Sequence, residues 1–211
     1  LKEARAGLAS ATEHGYPMAS AIQLSATGHA SRLGTLSVVA AGCEALATIV
    51  LFPGDVSAAR AKMLASPELA VWRRWSCEDL AELLARRWPR YNAVVVHPPR
   101  AVDGFSCYDD WLPRLDETGD PIGGYDENGV ACAHLLALLG CCQLVSSASS
   151  PLHLVAFSKG TVVLNQILAE FGGLAAGSEA LLERLGSLAW LDPGLNKEPG
   201  PILLDGALLR A

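Results

Sequence analysis

The sequence predicts an α/β domain built on a mainly parallel sheet that is flanked by helices. Three observations support this prediction. Apolar runs of strand length alternate with helical apolar patterns over most of the 211 residues. Hydrophobic residues make up 51% of the chain, enough for one sizeable buried core. An apolar run at 152–157 leads directly into an apolar-striped helical pattern at 161–171, with a serine at the junction.

The pattern indicates one domain preceded by a short N-terminal segment. Residues 1–20 are weakly patterned, and we expect this segment to be weakly ordered. Residues 21–211 are expected to form the single domain, incomplete at its C-terminal end for a reason given below. Short apolar runs at 22–26 and 36–40 predict an opening pair of strands.

A strand, a helix and a second strand are predicted in the first half of the domain. The runs 48–52 (TIVLF) and 93–97 (AVVVH) are rich in β-branched residues, and each stops at a proline-containing turn. Between them, Ser76 is placed to cap a helix, with the acidic Asp79 three residues later as in a capping box. The apolar stripe that follows ends at Pro89, which stops the helix.

The second half of the domain continues the same alternation. An uncharged apolar stretch at 130–144 predicts a helix, and the Ser-rich segment 146–151 is a linker by composition. The strand at 152–157 and the helix at 161–171 follow. A last clear strand is predicted at 188–191.

Composition excludes several classes of function. The net charge of −6 and the absence of basic runs argue against nucleic acid as a partner. Two stretches are apolar enough to be considered as membrane spans, but neither fits. The stretch 34–52 carries Glu44 near its middle, and 131–145 is shorter than the roughly 20 residues that a spanning helix needs. We therefore expect both to be core elements and no transmembrane segment.

No cofactor or metal site is predicted. The six cysteines form no CxxC pair and have no histidine at zinc-ligand spacing, so we expect buried free thiols. The stretch 27–34 resembles a nucleotide-binding turn, but Arg32 stands where a close-packing glycine is needed. The stretch 158–161 inverts the Gly-Lys order of a P-loop.

The strongest local signal for chemistry is the junction at Ser158, which has the layout of a nucleophile elbow. In such a turn the serine takes a strained conformation that lifts its hydroxyl off the sheet. The residues two before and two after it must be small so that the strand and helix backbones can approach. Ala156 and Gly160 meet this demand, with alanine replacing the usual first glycine. The alternative is that Ser158 merely caps the helix.

An elbow also predicts where an oxyanion would be held. The amide of Lys159, at the start of the helix, is the first candidate donor. The second normally comes from a loop after an earlier strand, and the turn after 48–52 supplies the amide of Gly54 or Asp55.

The acid and the base of a catalytic triad are less clear. Asp192 follows the strand 188–191 and is a candidate acid, although Asp-Pro-Gly is also ordinary turn chemistry. No histidine follows it, and the remaining 19 residues are fewer than the roughly 30 of one more strand, helix and strand unit. His97, at the end of a middle strand, is the one histidine whose placement could bring it towards Ser158.

The polar and aromatic loop at 103–111 has two interpretations. Phe105, Tyr108 and Asp109 are candidates for a lid or a substrate-contacting loop, because strand-end loops carry function in α/β sheets. Alternatively, Phe105, Tyr108 and Trp111 pack the loop onto the core. Cys107 lacks a basic neighbour in sequence that would lower its pKa, which argues against a second nucleophile.

Five short motifs resemble one known family. In chain order they are FPGDV at 52–56, FSCYD at 105–109, FSKG at 157–160, VVLNQ at 162–166 and WLD at 190–192. Their combination, over roughly residues 48 to 192, is similar to the mitochondrial protein family of human chromosome 2 open reading frame 69.

The resemblance implies an α/β-hydrolase-like fold, a mitochondrial location and a serine-hydrolase-type site whose substrate is not established. Members of that family continue past the point where this sequence stops, and the continuation carries histidines that would complete a triad. Their aspartate is followed by Gly-Gly-His, whereas Asp192 is followed by Pro193-Gly194-Leu195. The resemblance thus implies a domain that is incomplete at its C-terminal end.

Two functions are compatible with these observations. The first is a mitochondrial serine hydrolase that attacks a small-molecule or acyl ester, thioester or amide through Ser158, with Asp192 orienting the base. The second is a catalytically silent hydrolase-like binding or regulatory protein, suggested by Ala156, the missing histidine and the lysine beside the serine. The sequence identifies neither a substrate nor a protein partner.

Overall fold

The computed structural model describes residues 20–42, 44–142, 150–173 and 175–193. Its first strands, β1 (Ile22–Thr27) and β2 (Leu33–Val39), pair antiparallel, with Ile22 opposite Val38. This confirms the predicted opening pair. Residues 1–19 and 143–149 lie outside the described residues, so the weak order of the N-terminal segment and the linker at 146–151 stay predictions.

The remaining elements complete an α/β arrangement. The strands are β3 (Ala47–Phe52), β4 (Tyr91–Val96), β5 (Arg100–Val102), β6 (Phe105–Cys107), β7 (Leu152–Phe157) and β8 (Leu185–Leu191). The helices are α1 (Arg60–Ala65), α2 (Pro67–Ala70), α3 (Cys77–Arg87), α4 (Ala131–Cys141), α5 (Thr161–Gly173) and α6 (Ser178–Leu182). Each strand and helix predicted from the described residues is present, with bounds that differ by a few residues.

The main sheet is mixed at one edge and parallel elsewhere. Its strand order is β1-β2-β4-β3-β7-β8, and β4, β3, β7 and β8 all run parallel. All six residues of β3 are buried, because helices cover both faces of this part of the sheet. The predicted α/β class with a mainly parallel sheet is therefore confirmed.

Two apolar cores lie on opposite faces of the sheet. The larger one packs α4 and α5 against side chains such as Val50 and Leu154. The smaller one packs α3 against Leu51 and Val95, the neighbours in sequence that point the other way. The described parts of the stretches 34–52 and 131–145 contribute β2, β3 and α4 to these cores. No helix among the described residues is long and apolar enough to cross a membrane.

Ser76 caps α3 as predicted. Ser76 is buried, and its hydroxyl accepts a hydrogen bond from the Asp79 amide at 3.1 Å. The same hydroxyl donates to the Asp79 carboxylate, whereas the Ser76 amide donates to the Arg73 carbonyl, so the reciprocal backbone bond of a capping box is not formed.

Five short elements were not predicted. They are α1, α2, α6, β5 and β6, and each has three to six residues. Elements of this length are too short to show a helical or alternating apolar period, so only their packing in the folded chain defines them.

The topology determines where a site can form. The chain leaves β3 towards β4 on one side, whereas it leaves β7 towards β8 on the other. The carboxyl ends of these two adjacent strands thus form a topological switch point, the usual position of a ligand crevice in an open α/β sheet.

Candidate active site

Ser158 lies directly after β7 in the strained turn that the sequence predicted. Its φ is +47°, a left-handed value that a non-glycine residue adopts at an energetic cost. Ala156 is fully buried two residues earlier. A Cβ atom on Gly160 would lie 2.0 Å from the carbonyl oxygen of Phe52 and 2.8 Å from that of Pro53. Glycine is therefore required there, because helix and strand backbones touch.

The loop after β3 lies against this serine. We call residues 53–55 the oxyanion loop. A Cβ atom on Gly54 would come within 2.8 Å of the Ser158 Cβ and 3.1 Å of the Phe157 ring. The structure thus brings together Gly54 and Ser158, two predicted site residues that are more than a hundred positions apart in sequence.

Two residues from the β6 region hold the oxyanion loop in place. The Tyr108 hydroxyl donates to the Pro53 carbonyl at 2.6 Å, and the Ser106 hydroxyl donates to the Gly54 carbonyl at 3.0 Å. The Ser106 amide donates to the Asp55 carboxylate at 2.7 Å. We call Ser106 and Tyr108 the clamp. These bonds give each residue of the loop one hydrogen bond from the clamp.

Two aromatic residues of the loop 103–111 pack onto the core. Tyr108 and Trp111 are buried against Phe52, with edge-to-face ring contacts at 6.5 and 5.1 Å. Both side chains therefore pack against the core, and Tyr108 is not exposed to solvent as a lid residue would be. Phe105 is 42% exposed and remains available to a substrate.

Asp109 is engaged in an ion pair at the surface. Its carboxylate forms a 2.8 Å ion pair with Arg100 of β5, and both side chains are more than 40% exposed. Such a pair contributes little to stability.

Lys159 makes an ion pair that the sequence did not predict. Its ammonium group binds the carboxylate of Asp120, and the two side chains are 10% and 23% exposed. The same ammonium group lies 6.0 Å from the centre of the Phe105 ring. Asp120 stands in a tight turn of the sequence DETGD, which gives no signal of its own for a role beside Ser158.

The oxyanion loop carries a carboxylate close to this pair. Burial raises the pKa of Asp55, while the Ser106 amide and the Lys159 charge lower that pKa and Asp120 raises it. The site therefore holds one cation between two carboxyl groups.

No histidine among the described residues is hydrogen-bonded to Ser158. His97 follows β4, whose carboxyl end lies at the same edge of the sheet as that of β7. Its side chain is 8% exposed, and its Nε2 is 2.7 Å from the hydroxyl of Ser37 on β2. Burial lowers the pKa of His97 to about 4. His153 is near the amino end of β7, bonded to Ser187 at 2.8 Å. His97 as the base stays a prediction.

His134 is a buried histidine in α4. Its side chain is fully buried, and its ring packs edge-to-face against Trp111. Neither of its ring nitrogens has a hydrogen-bond partner within the described residues. Burial lowers its pKa to about 4, so the ring is neutral near pH 7.

Asp192 occupies the strand end next to the elbow. Phe157 and Leu191 are paired in the parallel register of β7 and β8, so Ser158 and Asp192 each come one residue later. Asp192 is exposed and has a positive φ of 47°. Its assignment as the acid stays a prediction.

A buried polar network behind the elbow was missed by sequence reasoning. The Glu170 carboxylate accepts from the amides of Ala131 and Cys132 at 2.8 Å each, so it caps α4. Gln166 donates to Glu170 and also bonds the backbone of Asp126.

Asn165 extends the network to β8. It accepts from the Trp190 indole at 2.9 Å and donates to the Tyr125 hydroxyl at 3.1 Å. Asn165, Gln166 and Trp190 belong to the motifs VVLNQ and WLD. These motifs indicated a family, but they did not predict that the three side chains take part in a buried hydrogen-bond network.

The chemistry of metal and thiol groups is limited in the described part of the chain. It contains no group of three or more histidine, cysteine or acidic side chains that could hold a metal ion. Among its cysteines, Cys77, Cys107, Cys132 and Cys142 are buried and Cys141 is exposed. Burial raises the pKa of the Cys107 thiol, which opposes nucleophilic reactivity.

Known structures with a similar backbone are esterases and related hydrolases. The esterase Est22 gives a TM-score of 0.47 at 10% identity, covering 85% of this chain and 44% of that one. A DcsB complex with its substrate analogue gives 0.45 at 16% identity, covering 83% and 46%. A serine hydrolase without a lid from Xanthomonas campestris gives 0.37 at 12% identity, covering 84% and 63%.

Sequence comparison gives a more specific result. The family model C2orf69 matches residues 39–150 and 142–211. The Danio rerio relative, named mitochondrial protein C2orf69 homolog, is 34% identical over 167 residues, covering 69% of this chain and 48% of the relative. The Homo sapiens relative, named mitochondrial protein C2orf69, is 26% identical over 203 residues, covering 69% and 52%.

These comparisons confirm the resemblance stated from the motifs. The chain spans about half the length of the curated relatives it matches. Their names carry the mitochondrial location that was expected. The chain belongs to the C2orf69 family.

Proposed function

We propose that this chain carries the nucleophile and the oxyanion site of a mitochondrial serine hydrolase that cleaves an ester, thioester or amide. The observation that carries the proposal is the contact between Gly54 and Ser158 at the switch point. A capped helix start needs no such contact, whereas an oxyanion site requires backbone amides on both sides of the reacting carbonyl. The positive φ of Ser158 supports the same assignment.

The proposed reaction follows from this placement. The Ser158 oxygen attacks the substrate carbonyl, and its proton passes to a histidine base that Asp192 orients. The amides of Lys159 and of Gly54 or Asp55 hold the negative oxygen of the tetrahedral intermediate. The bond to the leaving group then breaks, the leaving group takes the proton, and water releases the acyl group from Ser158.

The charged pair beside the site has a defined part in this proposal. The ammonium group of Lys159 binds the Asp120 carboxylate, and the role of base is assigned to a histidine and not to Lys159. The amide of Lys159 remains at the elbow as a donor to the oxyanion.

A second function is favoured by one observation. Among the described residues, the histidines that bond a serine are His97 and His153, and their partners are Ser37 and Ser187, not Ser158. A protein that binds a carbonyl ligand at the oxyanion loop without turnover would need no base. It would keep the same Gly54 contact.

A fluorophosphonate probe distinguishes the two functions, because it reacts only with an activated serine. We expect the probe to label this chain and the Danio rerio relative. In this chain the label should disappear in Ser158→Ala. The matched control is Ser187→Ala, which removes the solvent-accessible serine that has a histidine partner and should leave the label unchanged. Absence of labelling in both proteins would exclude the hydrolase and leave the binding protein.

A further inference from the structure

An aromatic pair adjoins the candidate nucleophile. The Phe157 ring stacks on the Trp75 ring, with centroids 5.7 Å apart and planes inclined by 10°. Phe157 is the residue before Ser158, so the stack is continuous with the elbow. Trp75 is nevertheless 42% exposed, which leaves part of its ring uncovered by the described residues.

Trp75 belongs to a concentration of exposed apolar side chains. We call Leu64, Val71, Trp72 and Trp75 the apolar shelf; they are 57%, 74%, 49% and 42% exposed. Scattered exposed apolar residues are ordinary on a protein surface, but four within a dozen positions indicate a binding surface. Arg73 and Arg74 lie between the two tryptophans and are also exposed.

A backbone bond holds the segment after Trp75 beside the chain that follows the oxyanion loop. The Cys77 amide, two residues after Trp75, donates to the Ala58 carbonyl at 3.0 Å. Ala58 follows the oxyanion loop by three residues. Together with the stack on Phe157, this bond places the Trp75 end of the apolar shelf next to the elbow.

The surroundings of Ser158 are chemically asymmetric. On the side of Phe157 the neighbouring surface is the aromatic stack and the apolar shelf. On the side of Lys159 it is the ion pair with Asp120. A substrate with one apolar and one polar end, joined at a carbonyl, matches this arrangement in one orientation only.

We propose that the apolar shelf binds the hydrocarbon chain of the substrate's acyl group, with Trp75 as the specificity-determining residue closest to the nucleophile. The polar leaving group then faces Lys159 and Asp120. This inference rests on the proposed function and narrows its substrate to esters or thioesters of medium- or long-chain fatty acids.

The test measures chain binding without turnover. The ligand is dansyl-undecanoic acid below its micelle concentration, titrated into Ser158→Ala so that no reaction occurs, with dansyl fluorescence as the readout. Adding Trp75→Ala is expected to weaken binding about tenfold, because the chain loses an apolar surface. Trp75→Phe keeps an aromatic ring on Phe157 and should restore most of the affinity.

Trp88→Ala is the matched control. Trp88 is 40% exposed at the other end of α3, where the Arg87 guanidinium lies 5.4 Å from its ring. This variant should bind the probe normally. Equal losses in Trp75→Ala and Trp88→Ala, an unchanged affinity in Trp75→Ala, or no saturable binding would each overturn the proposal. Melting curves show whether Trp75→Ala remains folded. If it does not, the binding affinities of Trp75→Phe and Trp72→Ala test the proposal instead. Trp72→Ala should weaken binding to a smaller extent than the loss expected for Trp75→Ala.

Two further measurements separate the possible failures. Fluorophosphonate labelling of Ser158 with no Trp75 effect on chain binding would retain the hydrolase and reject the shelf. A Trp75 effect without labelling would retain the shelf and reject the hydrolase. Binding to anionic vesicles that needs Trp75, together with no binding of the monomeric probe, would instead identify the shelf and its arginines as a membrane contact and overturn the proposal.

Discussion

The two sides of the candidate site differ in how firmly the fold holds them. The nucleophile side lies between β7 and the wholly buried β3, and its backbones touch at Gly160 and Gly54. The acid side lies at the end of β8, an edge strand of the described sheet on which no residue is fully buried, and Asp192 is exposed. Changes on the nucleophile side should therefore affect both stability and reactivity, whereas changes on the acid side should affect reactivity alone.

Gly160→Val is expected to have the largest effect on stability. A branched side chain would overlap the carbonyls of Phe52 and Pro53, forcing β3 and α5 apart. The free energy of unfolding should fall by about 3 kcal/mol or more, measured by thermal or urea unfolding. Gly140→Ala is the control: a Cβ there meets nothing within 4 Å, and alanine should stabilise α4 by about 0.5–1 kcal/mol. An unchanged melting temperature in Gly160→Val would contradict the close contact between Gly160 and the backbone of Phe52 and Pro53.

Gly54→Ala should have the next largest effect. The added methyl group meets the Ser158 Cβ at 2.8 Å, so the oxyanion loop or the elbow must shift. We expect a loss of about 1–2 kcal/mol in stability and of about 100-fold in the rate of fluorophosphonate labelling. Gly42→Ala, with open space around its Cβ, should change neither. If labelling proceeds at the normal rate in Gly54→Ala, this loop does not hold the oxyanion.

Tyr108→Phe tests the clamp. The buried Pro53 carbonyl loses its hydroxyl donor, which should cost about 1–2 kcal/mol. The labelling rate should also fall, but less than in Gly54→Ala, since the two bonds from Ser106 remain. Tyr91→Phe, at the amino end of β4, is the control for loss of a tyrosine hydroxyl. A stable Tyr108→Phe with normal labelling would mean that the clamp does not position the loop.

Asp192→Asn should have the smallest effect on stability, within about 0.5 kcal/mol, because the side chain is exposed. The labelling rate should nevertheless fall at least tenfold, since the amide cannot stabilise a protonated histidine. Asp109→Asn, which removes the exposed partner of Arg100, should change neither quantity. A loss of stability in Asp192→Asn would contradict the difference between the two sides.

The elements that sequence reasoning predicted are those with a long period or a strong stop signal. β3, β7 and α5 have uninterrupted apolar patterns, and the serine cap at Ser76 follows from local chemistry alone. The elbow could be predicted because the small residues at 156 and 160 are a backbone requirement that is visible in one sequence.

Long-range partners could not be predicted in the same way. The Lys159 ion pair with Asp120 joins residues 39 positions apart across loops that have no period. The role of Glu170 as the cap of α4 depends on how two helices pack: Val130 cannot cap the helix with its side chain, but the sequence does not show which distant residue supplies the cap. The base could not be identified because neither His97 nor His153 is hydrogen-bonded to Ser158.

The clamp also has a consequence for the order of events during synthesis. Its three hydrogen bonds connect positions separated by 51 to 55 residues, and all of their donors and acceptors precede Ser158 in the chain. A chain made from its N-terminus therefore exposes the oxyanion loop, both clamp residues and Asp120 before the serine has been translated. The oxyanion loop and its clamp can thus form first. The hydroxyl of Ser158 is added last, when β7 pairs with β3.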